Sequence, residues 1–251
     1  MFEQIKKIVD KYLSSISFIN DEMKTKAINY YISQGISLKE VEQEVSAICD
    51  KIQICEPIIQ REILPNVLSN SIIFIGPMCS GKSTISESLK NTTEMPIISL
   101  DDREQLSKYY DRISQIKDLK DRELALVGYV LTEIKEPSII NFGAGHSIQE
   151  NTISRIELER LISRFKNVVL LVPSKNKDIS TRVLSKRIEE RLKNEDEDSI
   201  KRKNTTNEHF IRCGYNERLA KYIIETEGKT IEECRDEIIK EIERNKNELE
   251  R

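Results

Sequence analysis

One segment determines the fold class of this chain: Ser71-Ile72-Ile73-Phe74-Ile75-Gly76-Pro77-Met78-Cys79-Ser80-Gly81-Lys82-Ser83. Residues 72–75 form an apolar run typical of a buried strand, and Ile85 and Leu89 follow at helical spacing. Residues 76–83, which we call the phosphate loop, match the Walker A pattern, in which glycines allow the turn, a lysine reaches the phosphates and a hydroxyl holds magnesium. Because this loop runs from a strand into a helix, its amides would point at bound phosphates. The pattern predicts a nucleotide-binding domain.

Composition excludes several classes of protein. The chain has 251 residues and a net charge of −3, from 40 basic and 43 acidic residues, so no overall field would attract nucleic acid. Charged residues make up 33% of the chain, and no apolar run approaches the roughly 18 residues of a membrane span. We therefore expect a cytoplasmic protein with no membrane or nucleic-acid partner. Five scattered cysteines predict reduced thiols and no disulfide framework or zinc site.

Residues 1–65 differ from the rest of the chain because they lack strand-like runs and contain helix caps. We expect three helices, spanning Phe2 to Ile16, Asn20 to Tyr31, and the segment opened by the capping-box pair Ser37 and Glu40. Pro65 places the boundary of this helical module. A packing or dimerisation role is the simplest interpretation, and a regulatory or partner-binding role is the alternative, so a homodimer or a protein partner through these helices stays open.

From Ser71 onward apolar runs alternate with helical segments, which is typical of a parallel sheet covered by helices on both faces. The predicted strands are Ile72 to Ile75, Ile97 to Leu100, Ser138 to Phe142, Val168 to Val172 and Tyr222 to Glu225. The fold class is thus α/β, with a P-loop parallel sheet in residues 66–251 and an extra N-terminal helical module. The polar segment 194–207 is interpreted either as a mobile lid over the nucleotide or as a solvated surface loop.

Residues that follow the strands are the candidates for chemistry, because ligands of such sheets bind beyond the strand ends. Asp101 and Asp102 follow the second strand; one would project into the cleft, while the other would cap the helix that follows. Small residues at 143–145 would let a substrate lie against the backbone, or would simply form a tight turn. His146 is expected to be an ordinary polar loop residue.

With these motifs in place, the sequence from Ser71 to about Ile239 resembles shikimate kinase, within the nucleoside-monophosphate-kinase-like enzymes. In that family an aspartate lies nineteen residues beyond the Walker lysine, so the resemblance implies that Asp101 is the base. The family's glycine triplet, which holds the substrate, is similar to Gly143-Ala144-Gly145. The family has a substrate-binding arginine eight residues before an alanine, and Arg212 with Ala220 is similar to this pair. The resemblance places the family's lid at 194–207.

The chain also departs from the family's pattern, chiefly at positions that contact the substrate. The Phe-Arg-x-x-Glu element, whose arginine binds a substrate carboxylate, is matched by Asp121-Arg122-Glu123-Leu124-Ala125, which lacks the closing glutamate. Ser99 replaces the first aspartate of the family's Asp-x-Asp element. The lid's Arg-Pro motif has no counterpart, and Arg191 or Arg202 would supply that cation. These departures point to a relative with a changed substrate.

The combined prediction is a magnesium- and ATP-dependent kinase acting on a hydroxyl of a small carboxylated metabolite, with shikimate the leading candidate. Lys82 and Asp101 would be catalytic, and Ser83 and Asp101 would hold Mg²⁺. The nucleotide-binding residues would be Gly76, Pro77, Met78, Cys79, Ser80, Gly81, Lys82, Ser83 and Thr84. The substrate-binding residues would be Asp101, Arg122, Gly143, Ala144, Gly145 and Arg212. The alternatives are a zeta-toxin-type kinase of a nucleotide sugar and an ATP-binding regulatory protein whose catalysis has decayed.

Overall fold

A computed structural model describes residues 1–14, 19–59 and 61–249, with the side chains of 50–59, 153, 248 and 249 outside the description. The end of the first predicted helix, residues 15 and 16, lies outside the described residues. The chain divides into two compact units, residues 1–60 and 61–251. This division falls five residues before the boundary predicted from Pro65, because the short helix that begins at Pro65 packs in the second unit.

The first unit contains helices α1 (Phe2–Leu13), α2 (Asp21–Ser33) and α3 (Leu38–Ile59). Ile5, Val9 and Leu13 recur every four residues on α1 and are buried, so one face of this helix forms the centre of the unit. Both predicted caps are confirmed. Asn20 Oδ1 accepts a hydrogen bond of 2.9 Å from the Met23 N–H, and the Ser37 N–H donates to Glu40 Oε2 at 3.1 Å.

The second unit alternates helices and strands along its whole length. Its elements are α4 (Pro65–Asn70), β1 (Ile72–Ile75), α5 (Lys82–Thr93), β2 (Ile97–Ser99), α6 (Ser107–Ile113), α7 (Leu119–Glu133), β3 (Ile139–Asn141), α8 (Thr152–Ser163), β4 (Asn167–Val172), α9 (Lys177–Arg191), α10 (Glu197–Arg212), α11 (Tyr215–Leu219), β5 (Tyr222–Glu225) and α12 (Ile231–Leu249). Within the described ranges, none of the helices is both long and apolar enough to cross a membrane.

The five strands form one parallel sheet in the order β2-β3-β1-β4-β5. All five predicted strands are confirmed, although β2 and β3 are shorter than the apolar runs suggested. On one face the sheet packs against α5 and α12, where Phe74, Leu89 and Ile238 share a buried core. The predicted α/β fold class is confirmed. Because β2, β3 and β1 are parallel neighbours, the loops that follow them lie together at the carboxyl-terminal ends of the strands.

The side chain of Gln105 covers the open edge of strand β2. Its Nε2 donates to the Ile97 carbonyl at 3.0 Å, and its Oε1 accepts from the Ser99 N–H at 3.1 Å. These two backbone groups point away from β3, because β3 pairs with alternate residues of this strand, such as the carbonyl of Pro96 and the N–H of Leu100. The amide of Gln105 therefore takes the place of a neighbouring strand at this position.

The segment 194–207, interpreted from its composition as a lid or a solvated surface loop, is largely helical, because α10 begins at Glu197. Asp196 caps helix α10 by accepting a 2.7 Å hydrogen bond from the Ser199 N–H, and Lys203 pairs with Glu195 at 2.6 Å. Asn207 and Ile211 are the buried residues of this helix. With so narrow a buried face, α10 lacks the apolar stripe by which a sequence pattern predicts a helix.

Candidate active site

The phosphate loop takes the conformation that its glycines permit. Gly76 has a φ of 135°, and a Cβ added there would lie 2.6 Å from the Leu171 carbonyl oxygen on β4. Gly81, with a φ of 100°, immediately precedes Lys82 at the start of α5. The Lys82 Nζ donates to the carbonyls of Gly76 at 2.7 Å and Pro77 at 2.9 Å. Burial lowers the pKa of Lys82 to about 8, although the negative charge of Asp101 acts in the opposite direction.

A cavity of about 1050 Å³ lies in front of this loop. Met78 to Thr84 line this cavity, and so do Asp101, Ala144 and Gly145. The structure therefore brings the predicted nucleotide loop, the predicted base and two of the three small residues into one cavity.

The two adjacent aspartates have different roles in the structure. Asp102 Oδ1 accepts a 2.9 Å hydrogen bond from the Gln105 N–H and so stabilises the turn after β2. The Asp101 side chain is 72% exposed and faces the cavity. Gly143 makes room for it, because a Cβ at this position would overlap the Asp101 carboxylate and lie 2.5 Å from His146 Nδ1.

His146 is a residue whose position sequence reasoning missed. Its side chain is 9% exposed, and its Nδ1 lies 3.9 Å from Asp101 Oδ1. Burial lowers the pKa of His146, while the carboxylates of Glu123 and Asp101 act to raise it. Nδ1 is buried and makes no hydrogen bond to any described residue. The neutral ring thus forms an uncharged wall beside the Asp101 carboxylate.

Lys120 and Glu123, which were not predicted, also line the cavity. Lys120 Nζ lies 2.7 Å from Glu123 Oε2 and donates to the Gly145 carbonyl at 2.9 Å. A usable signal was present in the sequence, because Leu119-Lys120-Asp121-Arg122-Glu123 meets the spacing of the Phe-Arg-x-x-Glu element with its closing glutamate. In this register Lys120 takes the position that the alignment beginning at Asp121 gives to Arg122.

A second lobe, of about 420 Å³, opens beside the first between α6 and α7. Asp101, Leu119 and Glu123 line both lobes. The second lobe adds Arg122, whose Nε is buried and has no hydrogen-bond partner among the described residues. The predicted substrate arginine Arg122 therefore lies near Asp101, on the side away from the phosphate loop.

Arg212 does not reach either lobe, and its assignment to the substrate site is not supported by its position. Its guanidinium pairs with Asp178 Oδ1 at 2.7 Å and with Glu208 Oε1 at 2.8 Å. Phe210, two residues earlier on α10, lines the large cavity instead. Two residues correspond to roughly 200° around a helix, so Arg212 lies on the opposite side of α10 from Phe210.

Side chains of α9 and α10 close the cavity above the phosphate loop. Arg187 Nη1 donates to the Cys79 carbonyl at 3.2 Å, and Arg191 also lines the cavity. Asn207 Oδ1 accepts a 2.6 Å hydrogen bond from the Met78 N–H, while its Nδ2 donates to the Met78 carbonyl at 3.2 Å. Of the two predicted lid cations, Arg191 faces the cavity, and Arg202 is exposed and does not line it.

The oxygen donors of the cavity suit a magnesium ion carried by a nucleotide. Ser83 and Asp101 supply a hydroxyl and a carboxylate, which are the hard ligands that Mg²⁺ prefers. The Asn141 Oδ1 already accepts a 2.6 Å hydrogen bond from Ser86 Oγ. In the described part of the chain, His, Cys, Asp and Glu residues do not form a cluster of three or more that could hold a metal ion alone.

Comparisons with known proteins identify the fold. No protein-family model matches the chain, and no curated protein is similar to it. A shikimate kinase from Acinetobacter baumannii, solved in complex with shikimate, is similar with a TM-score of 0.51 at 17% identity, over 72% of this chain and 96% of that one. A gluconokinase from Sinorhizobium meliloti 1021 has a TM-score of 0.48 at 19% identity, over 72% and 96% of the two chains. A shikimate kinase from Bacteroides thetaiotaomicron has a TM-score of 0.43 at 22% identity, over 72% and 99%. The chain therefore has, over about three quarters of its length, the P-loop kinase fold of shikimate kinase.

Proposed function

We propose that this protein transfers the γ-phosphoryl group of ATP to a hydroxyl of a small acceptor. The observation that carries the proposal is that Lys82 and Asp101 line one cavity, with Gly143 leaving space for the carboxylate. Kinase chemistry needs an anion cradle and a carboxylate that accepts the proton of the attacking hydroxyl. The likeness to a shikimate kinase supports the fold required for such chemistry.

The nucleotide side of the site would bind and polarise the phosphates. Lys82 would leave the loop carbonyls and contact the β- and γ-phosphates, and Arg187 and Arg191 would contribute positive charge from α9. Ser83 and Asp101 would hold Mg²⁺, which neutralises phosphate charge when bound. Asp101 would accept the hydroxyl proton, since its exposed carboxylate is not engaged in a close ion pair with a described lysine or arginine.

The acceptor would occupy the lobe between α6 and α7, which meets the nucleotide lobe at Asp101. Arg122 would bind a carboxylate there, because its Nε is buried without a hydrogen-bond partner among the described residues. Lys120 is a poorer anchor, since Glu123 already neutralises it at 2.7 Å. A hydroxylated ring carboxylate such as shikimate is the leading candidate.

The test is a coupled ADP-release assay with ATP and magnesium, comparing shikimate, methyl shikimate and UDP-N-acetylglucosamine as acceptors. We expect shikimate to stimulate ADP release, and we expect Asp101→Asn to lower that rate by about 100-fold or more. ATP affinity, measured separately, should change by no more than about threefold. Asp102→Asn is the matched control, because the neighbouring carboxylate caps a turn and does not line the cavity.

The outcomes separate the candidate functions. A fully active Asp101→Asn variant would contradict the proposed base. Stimulation by UDP-N-acetylglucosamine alone would indicate a nucleotide-sugar kinase, and ATP binding without transfer to any acceptor would indicate a regulatory protein whose catalysis has decayed. Equal stimulation by methyl shikimate and shikimate would contradict a carboxylate anchor at Arg122.

A further inference from the structure

The phosphate loop contains a residue in a conformation that side chains rarely adopt. Cys79, the fourth residue of the loop, has a φ of 61°. This left-handed conformation is disfavoured for residues with a Cβ and costs nothing to glycine. The loop therefore needs support from outside its own sequence to keep this shape.

That support comes from side chains that bind the loop carbonyls one after another. Asn207 of α10 donates to the Met78 carbonyl, and Arg187 of α9 donates to that of Cys79. Carbonyl dipoles repel phosphate, whereas backbone N–H groups attract it. Pairing each of these carbonyls with a donor favours a loop that presents N–H groups to an anion.

Asn207 is the most specific of these contacts. It lies on α10, 129 residues from Met78, is 2% exposed, and pairs with both the N–H and the carbonyl of that residue. A hydrogen bond to each backbone group fixes the peptide plane on both sides of Met78, directly before the strained Cys79. Arg187 fixes the carbonyl that follows.

We propose that Asn207 is a positioning residue that holds the phosphate loop in its strained, phosphate-binding conformation, so that nucleotide affinity depends on helix α10. The proposal rests on nucleotide binding by the phosphate loop and not on the identity of the acceptor. The proposal predicts a specific effect at Cys79. A glycine at this position adopts a positive φ without strain, so the loop should keep its conformation without the hydrogen bonds from Asn207.

The test is a double-mutant cycle in ATP affinity, measured by titration calorimetry without acceptor on the full chain. We expect Asn207→Ala to weaken ATP binding by about tenfold or more, through loss of both hydrogen bonds to Met78. In the Cys79→Gly background the same change should weaken binding by no more than about threefold. Asn204→Ala, on the same helix but without a hydrogen bond to the loop, is the matched control and should stay within about twofold.

Two results would overturn the proposal: an Asn207→Ala variant that binds ATP like the wild type, or an equal loss in both backgrounds, which would mean that Asn207 serves only to pack α10. Asn207→Leu keeps the side-chain volume and removes both hydrogen bonds, so it decides the question if the alanine variant does not fold. Circular dichroism checks the folding of each variant.

A protein that binds ATP but phosphorylates no acceptor contradicts the proposed kinase function, and the cycle still decides the role of Asn207. A wild type that binds no ATP contradicts both.

Discussion

Replacing Gly143 with alanine is the sharpest perturbation that the structure offers. The backbone of Gly143 is not in the left-handed region, so alanine is not strained there. The added methyl would overlap the Asp101 carboxylate oxygen and lie 2.7 Å from Asp101 Cγ and 2.5 Å from His146 Nδ1. Contacts between heavy atoms are optimal at about 3.5 Å, so the carboxylate would have to retreat by about 1 Å.

The expected cost falls mainly on catalysis. A misplacement of about 1 Å in a catalytic group lowers the rate by about 100-fold, which corresponds to roughly 2.7 kcal/mol in the activation barrier. The 72% exposed Asp101 side chain can turn toward solvent, and the buried His146 ring must give way by a fraction of its own width. The midpoint of thermal unfolding should therefore shift by no more than about 4 °C.

The assay is ADP release with the best acceptor of the panel, together with ATP affinity and thermal unfolding. Gly145→Ala is the matched comparison, because its nearest contact would be Lys120 Nζ at 3.3 Å, the end of a flexible side chain. We expect that variant to lose no more than about fivefold in rate. If Gly143→Ala were as active as Gly145→Ala, the rate would not depend on the position of the Asp101 carboxylate, and its proposed role as the base would be contradicted.

Two further predictions concern charge. Burial lowers the pKa of Lys82 from 10.5 to about 8, so the unfolded chain binds more protons than the folded chain between these two pH values. The free energy of unfolding should therefore rise with pH in that window, by at most about 3 kcal/mol. Lys82→Met should abolish this rise in urea titrations at a series of pH values, and an unchanged profile in that variant would contradict the prediction. Arg122→Gln should raise the KM for a carboxylated acceptor by about tenfold or more, whereas Arg112→Gln, which removes a surface pair with Glu133, should not; equal KM values for the two variants would reject Arg122 as the anchor.

Local patterns were sufficient for the sheet and the phosphate loop. Short apolar runs bounded by polar residues predict buried parallel strands. The run Ile72 to Ile75 directly precedes the loop that contains Lys82, and this order identifies the loop as a phosphate-binding loop. The division of labour between Asp101 and Asp102 also follows from local chemistry, because only one of two adjacent carboxylates can cap the turn.

Side-chain direction on helices could not be predicted in the same way. Arg212 and Arg122 both belong to charged helix surfaces, and tertiary packing alone decides that one pairs with Asp178 while the other lines a cavity. The same limit applies to α10, whose inner face carries the polar Asn207 beside Ile211, so that an apolar stripe does not mark it in the sequence. Asn207 was missed because its partner, the backbone of Met78, has no sequence signature.

The amide of Gln105 has a consequence for the behaviour of the protein at high concentration. An exposed edge strand is a template for aggregation, because its free N–H and carbonyl groups can pair with another chain. At β2 the outward groups of Ile97 and Ser99 are already bound by Gln105, so an incoming strand would first have to break two hydrogen bonds within the protein. One glutamine thus protects this end of the sheet against growth by strand addition.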